Sequence, residues 1–225
     1  MVVKSKGIVL SYIKYGDSSI IARVFTEEFG YGSYIVNSIR SQKSKRSIGY
    51  FQPFSILELV IYRKESRDLQ RISEFKNLVP LHNIHQDLIK SSITLFLAEV
   101  FSKLLHFENS PNPTLYHFTE ESIKVFDGLG EGVGNFHLQF LMKLGSFLGY
   151  EIKEADSLYS SMNKLPPSSE DHHYLERMIN DPYGSTYGLN RTLRNEMMDA
   201  VLNFYQHHTN ISKPKSLEVL RSVLN

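Results

Sequence analysis

The chain of 225 residues contains no cysteine. Disulfides, thiolate zinc sites and a cysteine nucleophile are thereby excluded. Long apolar runs are missing as well, since none approaches the length, about 20 residues, that spans a bilayer. The opening M-V-V-K-S-K-G-I-V-L sets lysines among its apolar residues, unlike the long apolar region and small-residue cleavage site of a secretory leader. The expectation is a cytoplasmic protein with no membrane partner. No G-x-S-x-G elbow, Walker lysine loop, Rossmann glycine fingerprint or H-E-x-x-H pair occurs. An enzyme is therefore not expected, and no cofactor is implied.

One absence is local. No Asp or Glu lies between Asn37 and Phe54, while Arg40, Lys43, Lys45 and Arg46 crowd into that stretch, spaced by serines. Burying such a segment would carry large desolvation costs, so a solvated loop between two strands is expected. Charge alone does not choose between an ordinary hairpin loop and one that holds phosphates. The net charge is only +1, but its distribution is uneven. Residues 1–79 hold 13 Lys and Arg against 7 Asp and Glu, and residues 80–225 hold 12 against 17. A basic module precedes a mildly acidic one.

What is present suits a globular protein, with 41% hydrophobic and 22% charged residues. Residues 6–13, 19–26, 31–37, 54–62 and 69–75 are β-branched and aromatic runs separated by turn-rich breaks such as Tyr15-Gly16-Asp17-Ser18. Five short strands without a crossover helix predict a small antiparallel barrel of the OB type; an SH3-like barrel or small sandwich gives the same pattern. Beyond Pro80 the period changes to i, i+3, i+4. An amphipathic helix is predicted from Ile84 to Leu105, with Asn83 and Gln86 as its capping start, then helices over 114–126, 135–148, 171–179, 190–207 and 216–224. Residues 149–169 read as irregular. The fold expected is α+β and multidomain: a barrel over 1–79, then an all-α domain over 80–225.

Several groups are candidates for function. Tyr12, Tyr31 and Tyr34 on neighbouring strands can stack bases, although ordinary barrel packing is the better account of any one of them. Lys4, Lys6, Lys14 and Arg23 extend the positive surface. The pairs His172-His173 and His207-His208 are adjacent, and adjacent helical residues point about 100° apart, so neither makes a chelating face. Surface or capping histidines are expected, with no metal. The glycine-rich 128–134 reads as a flexible helix connection, and Glu27-Glu28 and Glu120-Glu121 as solvated acidic pairs.

At this point the residues resemble a known family. Lys6-Gly7-Ile8-Val9-Leu10, Val24-Phe25-Thr26-Glu27-Glu28-Phe29-Gly30, Arg40 with Gln52-Pro53-Phe54, and Pro214-Lys215-Ser216-Leu217-Glu218-Val219-Leu220 are similar, in that order, to segments of the RecO family of bacterial recombination mediators. The resemblance implies an OB-fold joined to a helical domain. It also implies binding to single- and double-stranded DNA, annealing of complementary strands, contact with the C-terminal tail of single-stranded-DNA-binding protein, and work with RecR to load RecA. The resemblance places DNA contact on Arg40, Lys43, Lys45 and Arg46, to which the charge and aromatic pattern adds Lys6, Arg23 and Tyr34 as DNA-binding candidates, in a protein expected to be nucleoid-associated. Many members carry a cysteine zinc site after the segment matching Leu148-Gly149-Tyr150. Here 151–169 has no cysteine, so no metal is carried over, and packing through Tyr159, Met162 and Leu165 is the substitute expected. Two other readings fit the residues: a protein–protein adaptor that does not bind DNA, and an RNA-binding OB protein.

Overall fold

Alternating residues in the first third build a closed barrel. The computed structural model describes residues 1–41, 47–106, 108, 110–160 and 169–224. Strands β1 (Val2–Tyr15), β2 (Ser19–Thr26), β3 (Gly30–Val36), β4 (Ile56–Tyr62) and β5 (Leu69–Asn77) close in the order β1-β2-β3-β5-β4. β3 and β5 run parallel, the other neighbours antiparallel. This is an OB-fold. β1 is long enough to serve two neighbours, pairing with β4 through Ile8 and with β2 from Gly7 onwards. A bulge at Leu10, between Val9 and Ser11, bends it from one to the other. The barrel interior is tight at Gly7, where a Cβ would come within 2.7 Å of Leu59 Cδ1 and Val24 Cγ1.

The apolar run Ile8-Val9-Leu10 is buried on both faces, because helices cover the barrel's outside. Val9 belongs to the interior cluster with Val24, Leu57 and Leu59. Ile8, Leu10, Phe25, Phe54 and Ile56 instead join the core of the helical body. That body consists of α1 (Leu88–Leu105), α2 (Pro113–Gly128), α3 (Phe136–Phe147), α4 (Ala155–Ser160), α5 (Ser169–Asn180), α6 (Arg191–Thr209) and α7 (Leu217–Val223). Ring contacts carry the seam: Phe25 meets Phe101 edge-on at 5.5 Å, and Phe140 lies 6.3 Å from both Phe54 and Phe101. The barrel and the helices share one core.

Five expectations are corrected. Helix α1 begins later than its apolar period, because Asp87 is its N-cap and accepts from Lys90 N at 2.8 Å. Asn83 is bound elsewhere: Asp127, at the end of α2, accepts from the backbone N–H groups of His82, Asn83 and Ile84. The stretch 149–169 contains helix α4, with Ile152, Ala155, Leu158 and Tyr159 buried and Ala155 N donating to Glu176 of α5 at 2.7 Å. Met162 and Leu165 lie outside the described residues. The glycine-rich connection is closely packed at Gly132 (φ 64°), where a Cβ would stand 2.6 Å from the Gly184 carbonyl oxygen.

The acidic pairs have partners. Glu120 is 5% exposed and pairs with Lys124 at 2.6 Å, which also reaches Glu121 at 2.8 Å. Glu27 takes Lys6 at 3.6 Å and His117 of α2 at 3.1 Å, joining barrel to helices. Among the histidines, His137 is neither surface nor cap. It is fully buried against Phe96, and burial together with the nearby Arg194 charge pushes its pKa down to about 3.

Candidate nucleic-acid interface

The described ends of the basic loop are fixed to the barrel. Ser38 adopts a left-handed turn (φ 59°) that drops Ile39 into the barrel core. Arg40 then turns back on the β1–β2 turn: its backbone N donates to Ser18 O, its Nε to Ser19 O at 3.1 Å, and its Nη2 to Gly16 O. The guanidinium fork proposed for phosphate is thus engaged with backbone carbonyls. On the far side, Ser47 caps a 3₁₀ turn, Ile48–Phe51, by accepting from Gly49 N at 3.1 Å. Lys43, Lys45 and Arg46 lie outside the described residues.

The remaining candidates separate. Tyr34 is 3% exposed inside the barrel, and burial raises its pKa. Its ring is core, as is most of Tyr12, and it offers no face to a base in this structure. Lys6 is drawn to Glu27, whereas Lys4 and Lys14 are exposed. Arg23 stands on the outer face of β2, donates to Ser33 of β3 and lies 6.0 Å over the half-buried Tyr31 ring.

Two further arginines, passed over in the sequence, share this arrangement. Arg63 lies 4.7 Å over Phe29, and Arg71 lies 5.6 Å over Tyr62, its register partner across β4 and β5. The charged break 63–68 signals only a turn until the register brings Arg71 opposite Tyr62. Among the described residues none of these three arginines enters an ion pair, the barrel's pairs to carboxylates being Lys6–Glu27 and Lys76–Glu58. A guanidinium resting on a ring keeps its N–H groups free for phosphate oxygens, and the ring beside it can receive a base. Strands 2 and 3 and the 4–5 turn are also where OB-folds commonly hold oligonucleotides.

Beside Arg23 and Tyr31 runs a groove of about 350 Å³ between barrel and helices, lined also by Asp68 of the β4–β5 turn and by His106 and Glu108 after α1. Beyond Tyr31, whose hydroxyl meets Ser102 Oγ at 2.7 Å, the groove continues as a more apolar space of about 420 Å³ reaching Lys103 and Asn210. The carboxylates of Asp68 and Glu108 make this groove less favourable to a polyanion than the strand surface that carries Arg23, Arg63 and Arg71. No group of three or more His, Asp or Glu side chains that could hold a metal is found among the described residues. Nor is any helix among them long and apolar enough to cross a membrane.

Comparison with known proteins places this arrangement. Residues 1–79 match the family model "Recombination protein O N terminal", and residues 85–156 match "Recombination protein O C terminal". The chain is 32% identical over 240 residues to the DNA repair protein RecO of Flavobacterium psychrophilum, covering all of both chains. It belongs to the RecO family. Full-length relatives of the same name include those of Azobacteroides pseudotrichonymphae, at 33% identity, and Bacteroides fragilis, at 31%. RecO membership assigns the chain to DNA repair and recombination, and the OB-fold followed by helices is the architecture that the two matched segments divide.

Proposed function

We propose that the chain is a non-enzymatic recombination mediator that binds single- and double-stranded DNA through its barrel and anneals complementary strands. With RecR it would help load RecA onto DNA covered by single-stranded-DNA-binding protein, whose C-terminal tail it would contact. One observation carries the DNA-binding part: Arg23, Arg63 and Arg71 lie against aromatic rings on the barrel exterior with no carboxylate partner among the described residues. Many helical-body cations, by contrast, are spent on acids, as in Lys103–Glu99, Lys124–Glu120, Arg177–Asp181 and Arg221–Asp199. Free cations on one side neutralise phosphates without reading sequence, and counterion release supplies affinity. Two strands held in one positive field repel each other less, which favours annealing. RecR, RecA and the tail rest on family membership.

The test is titration of a fluorescent oligonucleotide at several salt concentrations. The triple variant Arg23→Ala, Arg63→Ala, Arg71→Ala is expected to bind more weakly across sequences, with the salt slope reduced by about 0.7 per lost contact on single strands. The variant Lys43→Ala, Lys45→Ala, Arg46→Ala measures the share of the basic loop. Negligible wild-type binding at low salt would point to an adaptor. Annealing on strands coated with the cognate single-strand-binding protein, with and without its tail, tests the partner.

A further inference from the structure

A second cleft lies at the foot of the basic loop, away from the arginine face and on the seam between barrel and helices. It has a volume of about 210 Å³ and opens between the 3₁₀ turn Ile48–Phe51 and the segment leading from β5 to α1. Ile56, Val79 and Leu81 supply apolar wall, and Tyr50 an aromatic one. Polar groups come from Ser47, Gln52, Ser55, Asn77 and His85.

Among the described residues no Lys, Arg, Asp or Glu lines the cleft, so its described walls offer no counter-charge to a phosphate or a metal ion. The cleft suits a neutral ligand with an apolar face and a hydrogen-bonding edge. The side chains of Gln52, Ser55 and Asn77 have no hydrogen bond to any described residue, although Ser55 is only 6% exposed. The two amides each offer both donor and acceptor. His85 Nε2 lies 2.9 Å from the Pro53 carbonyl, which can only accept, so that nitrogen donates and holds the ring in place at the cleft wall. A cleft of about 210 Å³ has room for one heteroaromatic ring.

The wall is preformed. Phe54 holds a left-handed backbone (φ 64°), donates to Val9 O at 2.7 Å and buries its ring among the helices, which fixes the Gln52-Pro53-Phe54 turn. Phe51 is fully buried against Phe75, which also meets the Tyr50 ring at 5.4 Å. In sequence Ser47 directly follows Arg46, so the cleft begins one residue after the last cation of the basic loop.

We propose that this cleft takes one unstacked base of a bound single strand, with Tyr50 against its face and Gln52 and Asn77 at its edge. The proposal rests on the DNA-binding reading above. It adds to it a site that duplex DNA cannot fill without flipping a base.

The experiment compares, at one salt concentration, the affinity of the full chain for a labelled oligothymidylate and for a fully abasic strand of equal length. Phosphate contacts are common to both, so the ratio isolates base contacts. The wild type is expected to favour the base-bearing strand by about tenfold, the scale of one stacked and hydrogen-bonded base. Gln52→Ala with Asn77→Ala, both exposed and so tolerant of replacement, should lower the ratio at least about threefold while leaving abasic affinity unchanged. Leu81→Trp, which fills the cleft, should do the same. A wild-type ratio kept in both variants overturns the base pocket while leaving DNA binding intact, and an equal loss for both strands overturns it too. If the wild type binds neither strand, the DNA-binding function itself falls and the pocket with it.

Discussion

Single residues hold this molecule in conformations that their neighbours in sequence do not explain. Phe54 has φ 64°, a region costing a bulky side chain about 1–3 kcal/mol. The hydrogen bond to Val9 and complete burial of the ring offset that cost. Phe54→Ala is expected to lose about 3–5 kcal/mol in urea unfolding. Phe54→Gly should be more stable than the alanine variant by about 1 kcal/mol, reversing the usual order, because glycine adopts this φ without strain. Equal stabilities would mean that the turn relaxes when the ring is gone. Arg40 makes a comparable prediction. Since its fork is spent on Gly16 and Ser19 carbonyls, Arg40→Ala should lower stability by about 1–2 kcal/mol yet leave the salt slope of DNA binding unchanged. A reduced slope would return Arg40 to the DNA site.

Among the elements, buried and capping groups set the response to acid. His137 of α3 is held neutral, with a folded pKa of about 3 against 6.5 for a free histidine. Between those values the unfolded chain binds a proton that the folded chain does not, so stability falls as pH drops from 6.5 towards 3, by up to about 1.4 kcal/mol per pH unit. His137→Phe should remove that slope in thermal melts at a series of pH values. Asp127 acts in a lower window. Burial would raise its pKa, but three backbone N–H groups of the segment before α1 hold it below the ordinary carboxylate range. Its contribution is complete above the ordinary carboxylate value and is lost as pH falls through the lowered one, and Asp127→Asn should flatten the most acidic part of the profile. The helices themselves were legible from their period. Asn190 caps α6 through Leu193 N, as the start read at 190 requires. The true start of α1 was not legible: Ile84 continues the apolar period, but the Asp127 carboxylate, 43 residues away, fixes residues 82–84 before the helix begins. Helix α4 was missed because six residues show less than two turns of period, and its anchor, Glu176, lies on another helix.

At the scale of the whole molecule, the barrel exterior is finished only by the helices. Ile8, Leu10, Phe25, Phe54 and Ile56 lie in their core, so the isolated segment 1–79 would present a contiguous apolar patch. That fragment is expected to aggregate or lose defined tertiary structure, while the full chain unfolds in one cooperative step by both far-ultraviolet and near-ultraviolet dichroism. A soluble, folded fragment would show that the shared core is dispensable. The sequence by itself determined the five strands followed by helices, α4 excepted, and the basic-then-acidic division of charge, because period, propensity and composition are carried by neighbouring residues; strand closure and the β3–β5 pairing that make the barrel an OB-fold came from tertiary contacts. The tertiary structure alone decided which polar groups are spent. Arg40 went to carbonyls, Tyr34 to the core and Lys6 to Glu27, while Arg63 and Arg71 came to rest on aromatic rings without an acid. Whether a cation is free for a ligand depends on segments distant in the chain that meet only on folding, since each buried polar group must find a partner there.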